Sequence, residues 1–89
     1  MTRDEIINGL LTAVRQSEDA AVASERALDH FRPVYRAALS GGDDVRIAEL
    51  YALVMAQERT AKQERAAATL FSDAVNLIYS LEMQTSPPQ

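Results

Sequence analysis

Apolar and small residues recur every three or four positions on both sides of a single glycine pair, and that pattern leaves few options for the fold. The first series runs through Ile7, Leu10, Val14, Ser17, Ala21, Ser24, Leu28, Phe31, Tyr35 and Ala38. The second runs through Ile47, Leu50, Val54, Gln57, Ala61, Glu64, Ala68, Phe71, Val75 and Ile78. Heptad spacing of this kind lays each series along one seam of a helix, whereas a half-buried strand would alternate. Alternating runs are missing, and proline is confined to positions 33, 87 and 88. The sequence predicts an all-α fold, an antiparallel two-helix hairpin of coiled-coil type.

The ends of the two helices are also marked. Thr2, with Glu5 three residues on, has the spacing of a capping box ahead of Ile6 and Ile7. Gly41 or Gly42 can take the left-handed conformation that ends a helix, and Asp43 or Asp44 can accept from the free N–H groups that begin the next. The expected organisation is one domain over 1–84, with helices over about 3–40 and 44–83, a turn at 41–43 and a disordered tail at 85–89. The run Gly41-Gly42-Asp43-Asp44 resembles the Gly-Gly-Asp-Glu-Phe signature of diguanylate cyclases, but that signature sits on a β-hairpin of a larger domain and ends in Phe. Here the flanks are helical, so the run reads as a corner. Pro33 removes the hydrogen bond to the carbonyl of Asp29. Because the heptad phase continues from Phe31 to Tyr35 without a slip, a kink is expected there. A break, giving a three-helix bundle, is the alternative.

Folding the two series together gives a register in which facing residues have numbers summing to about 85. Ile7 then meets Ile78, Leu10 meets Val75, Val14 meets Phe71 and Tyr35 meets Leu50, while Ser17 meets Ala68 and Ser24 meets Ala61. Large faces large at the ends, and small faces small in the middle. Ala21 opposite Glu64 and Leu28 opposite Gln57 are the misfits.

A second apolar stripe lies beside this seam. It carries Ile6, Ala13, Ala20, Ala27 and Val34 on the first helix and Leu53, Ala56, Ala67, Leu70, Ala74, Leu77 and Leu81 on the second. The opposite side carries Leu11, Glu18, Glu25, Arg32, Tyr51, Glu58, Arg65, Ser72 and Tyr79, with Glu18 placed to meet Arg65. Along helices of about 35 to 40 residues, roughly 50 to 60 Å, such a stripe is more than a soluble monomer leaves in water. The expected partner-binding residues are therefore Ile6, Ala13, Ala20, Val34, Leu53, Leu70, Leu77 and Leu81. A second copy covering them would complete a four-helix bundle by dimerisation.

Composition narrows the function. No cysteine is present, which removes thiolate metal sites and cysteine nucleophiles, and the single histidine, His30, falls on the outward side. No Glu-x-x-His pair for a di-metal bundle exists. Thirteen acids against nine bases give a net charge of -4 with the signs interspersed, so no basic stripe is available to neutralise phosphates. The reading is a non-enzymatic protein–protein interaction module without cofactor or metal, a small helical adaptor or chaperone-like protein that self-associates or covers a partner helix. The partner is expected to be protein, with no direct nucleic acid and no membrane. The acidic start of the chain and the lack of a long apolar run point to a cytoplasmic location. In outline the chain resembles small helical-hairpin proteins of bacterial secretion systems, including the partner chaperones of type III needle subunits. It has Ser40-Gly41-Gly42 where the secreted Trp-x-Gly hairpins carry their turn motif. The alternative function is a small acidic inhibitor of phage or mobile-element type that blocks a nucleic-acid enzyme.

Overall fold

The computed structural model describes residues 1–85 and consists of two helices, α1 (Arg3–Gly41) and α2 (Asp44–Thr85). Residues 86–89, assigned from sequence to the disordered tail, lie outside the described residues; Thr85, assigned to the same tail, closes α2. The Thr2 hydroxyl accepts from the N–H of Glu5 at 3.2 Å and the Thr2 carbonyl accepts from Ile6 at 3.1 Å, so α1 starts where its cap residue dictates. Asp43 repeats the device: its carboxylate accepts from the N–H of Arg46 at 3.2 Å, and its carbonyl accepts from Ile47 at 2.9 Å. Between the two caps only Gly42 turns left-handed, at φ 74° and ψ 13°. The corner is one residue tighter than the sequence implies, because Gly41 stays in α1.

Pro33 lies inside α1, and the helix runs on past it to the corner. The three-helix alternative is therefore wrong for this chain. Pro33 and Asp29 are both on the exposed side of α1, so the carbonyl that loses its partner faces water rather than the seam.

All twenty residues of the two heptad series are buried or half-buried, and the ten buried residues all come from that set. The phase of the repeat is thus unbroken on both sides of Pro33. Antiparallel pairing follows from contacts at both ends: Arg3 pairs with Glu82, and the rings of Tyr35 and Tyr51 lie 6.2 Å apart. These pairs sum to 85 and 86, in agreement with the register expected from the side-chain sizes. Ala21 at the narrow waist is fully enclosed, with no exposed surface. The two misfits resolve in the same way. Gln57 and Glu64 are half-buried, as long side chains are when their stems lie on an apolar surface and their heads reach water. No buried side-chain nitrogen or oxygen among the described residues lacks a partner.

The hairpin measures 72 × 20 × 15 Å. Two helices can enclose only one row of side chains between them, and the larger members of that row, Phe31, Tyr35 and Phe71, keep part of their surface in contact with solvent.

Candidate interaction face

The two long sides of the hairpin differ in chemistry. On one side Arg65 grips Glu25 as a fork, Nε to Oε1 at 3.0 Å and Nη2 to Oε2 at 2.9 Å, and Arg32 donates to Glu58 at 3.1 Å. The Arg65 hydrogen bonds, aided by its charge, hold the Glu25 carboxyl below the ordinary carboxylate range, and Glu25 in turn raises Arg65. Arg3 closes the open end of the seam against Glu82 and lies 5.5 Å from the centre of the Tyr79 ring. A shallow depression lined by Glu18, Arg65, Ala68, Thr69, Ser72 and Asp73 lies on the same side.

One detail corrects the sequence reading. Arg65 bonds Glu25, not Glu18, which contributes only a longer-range attraction. The cause is directional: helical side chains lean toward the N-terminus of their own helix. In an antiparallel pair the lean favours a partner displaced toward its own C-terminus, so of the two carboxylates a heptad apart that flank the level of Arg65 it selects Glu25 over Glu18. Glu25–Arg65 and Arg32–Glu58 both sum to 90, against 85 for the seam.

The other side holds the residues expected to bind a partner. Ile6, Leu53, Leu70, Leu77 and Leu81 are exposed, between 41 and 69 % of their surface, while Ala13, Ala20 and Val34 are half-buried along the shoulder of the seam. Helical spacing puts these residues on one side spanning both helices. Sequence reasoning stopped at the inner column on α1. The next column outward, Gly9, Gln16, Ala23, His30 and Ala37, extends the same side and is exposed throughout. The signal that finds it is charge: His30 apart, neither column on α1 contains an ionisable side chain. On α2 the matching columns contain only Arg46 and Glu49, both within two turns of the corner. The remaining charges lie in the seam, at its open end and at Glu64 near its middle, on the ion-paired side or on the outer backs of the helices.

Gly9 has no role within the hairpin. A Cβ placed there would meet nothing within 4 Å, and its backbone is ordinary helix. A glycine inside a helix is less stable than alanine by about 1 kcal/mol, so Gly9 weakens α1 without relieving any contact in the fold. His30 is exposed and stacks edge-on to Phe31, with ring centres 5.3 Å apart. Among the described residues, no three acids or histidines come together as a metal set, and no helix is long and apolar enough to cross a membrane. Compared with known protein families, with characterised proteins and with solved structures, the chain matches none.

Proposed function

We propose that this chain is a protein–protein interaction module that works through its uncharged side. The observation that carries the reading is the segregation of the surface. Leucines 53, 70, 77 and 81 stand exposed on a side with almost no charge, while the opposite side is stitched by Arg65–Glu25 and Arg32–Glu58. Scattered exposed leucines are ordinary; a row of them along α2, beside an α1 surface without charge from Ile6 to Ala37 apart from His30, is a surface for another protein. Burying such a side desolvates few ions, since Arg46 and Glu49 lie only beside the corner, and the ion-paired side remains to keep the assembly in solution.

The test is site-specific photo-crosslinking in the cell that makes the protein. A benzophenone residue at position 70 or 77 is expected to give protein adducts, and the same residue at position 32 is not. Adducts that form as readily from position 32, or from none of the three, would overturn the proposal. Association through an uncharged side also holds in high salt, whereas binding that weakened steeply with salt would point to the ion-paired side instead.

A further inference from the structure

We infer that the occupant of the uncharged side is a second copy of this chain, packed with both corners at the same end. The inference rests on the proposed interaction side and specifies what covers it. Three observations converge. The first is area: extents of 72 × 20 Å give that side an outline of about 1,400 Å², above the ~800 Å² per partner of a standard interface. The surface is therefore long enough for a partner the length of the hairpin itself.

The second is the uneven distribution along that length. Leu70, Leu77 and Leu81 cluster toward the open end, while Arg46 and Glu49 sit beside the corner. Two copies stacked side to side can align their corners or oppose them. If the corners are opposed over the full length, Leu77 and Leu81 of each copy fall against Glu49 and Arg46 of the other, which buries charge on leucine. If the corners are together, α2 of one copy lies antiparallel over α1 of the other at unchanged level. Leucine then meets an uncharged surface everywhere, and Arg46 and Glu49 stay near the rim.

The third is Gly9. With the register that Arg3–Glu82 and Tyr35–Tyr51 establish, residue 77 is level with residue 9. Corners together, Leu77 of each copy lands on Gly9 of the other, and Leu81 lands on Ile6. A leucine seated on a glycine brings the two helices close, which accounts for a glycine that nothing inside the hairpin requires. The arrangement is reciprocal, as a two-fold axis along the hairpin demands, and yields a four-helix bundle in which every neighbouring pair is antiparallel.

The absence of cysteine makes the test direct. Ser40→Cys, exposed beside the corner, introduces the sole thiol for a spin label. Pulsed dipolar spectroscopy on a sample shown to be dimeric by sedimentation is expected to give a label separation of about 30 Å, from two helix spacings plus the label arms. Opposed corners would give roughly 60 Å, from the rise of α1, and would overturn the inference. Gly9→Leu is expected to keep the hairpin helical while raising the dimer dissociation constant at least tenfold. A dimer indifferent to that change overturns the inference as well. A wild-type chain that stays monomeric at high concentration, yet gives crosslinked adducts with other proteins from positions 70 and 77, refutes the second copy and leaves the interaction side standing.

Discussion

Replacing Leu70 and Leu77 together by Glu separates association from folding. Leu70 is 69 % exposed and Leu77 58 % exposed in the single hairpin. Fully burying a leucine stabilises by about 1.5–3 kcal/mol, so covering the parts now in water contributes roughly 1–2 kcal/mol for each. In a two-fold dimer each leucine counts in both copies, and losing all four contributions weakens association by about 4–8 kcal/mol, an upper estimate since ordering at the interface offsets part of it. That is about three to six orders of magnitude in Kd, before the added penalty of enclosing four carboxylates. The hairpin itself loses little, because both side chains already face water and Glu forms helix nearly as well as Leu. Sedimentation velocity at matched concentrations is expected to show a dimer for the wild type and a monomer for L70E/L77E. Circular dichroism is expected to show helix retained in both. A double variant that still sediments as a dimer refutes the reasoning, and so does one that loses its helix, since the leucines would then belong to the hairpin's own core.

Leu28, only 4 % exposed in the seam, offers the contrasting case: Leu28→Ala is expected to lower stability by about 2–5 kcal/mol through a cavity, read by thermal or urea unfolding at a concentration where association is unchanged. Gly42→Ala forces a Cβ into the left-handed region at φ 74° and is expected to cost about 1–2 kcal/mol, while Gly41→Ala and Asp43→Asn leave the melting temperature nearly unchanged; equal losses at 41 and 42 would contradict the observed corner. Glu25 titrates below the ordinary carboxylate range because Arg65 bonds its ionised form, so its contribution is present in full above that range and disappears as pH falls through its lowered value. Glu25→Gln is therefore expected to flatten the acid side of the Tm–pH curve, and an acid limb identical to the wild type would show that the pair contributes nothing.

The parts of this structure legible in the sequence are those that depend on repetition. Ser17, Ser24, Gln57 and Glu64 are polar, yet their heptad positions placed them in the seam, and there they lie. The same phase argued that Pro33 would not end α1, because Phe31 and Tyr35 kept step across it. What escaped was finer than the repeat. The choice of Glu25 over Glu18 by Arg65 depends on the lean of side chains along two opposed helices. The outer column through Gly9 and Ala23 escaped because small residues give little signal on a hydrophobicity pattern, and only the vacancy of charge around them marks the side. The placement of Gly41 inside α1 is a matter of one residue's backbone angles, on which neighbouring glycines are indistinguishable by type.

The tight connection at Gly42 also governs the order in which the hairpin assembles. Ala38 and Ile47 are nine residues apart along the chain, and Ile7 and Ile78 are seventy-one apart. Bringing the distant pair together first would require about 2 kcal/mol more loop-closure entropy than the near pair. Loop-closure entropy therefore favours layers forming outward from the corner like a zipper, each shortening the loop left for the next, and favours opening from the free end where Arg3 meets Glu82. Leu77 and Leu81 ride on those outermost layers. A partner seated on them clamps the zipper at its loose end, so that occupancy of the uncharged side and the lifetime of the folded hairpin rise together.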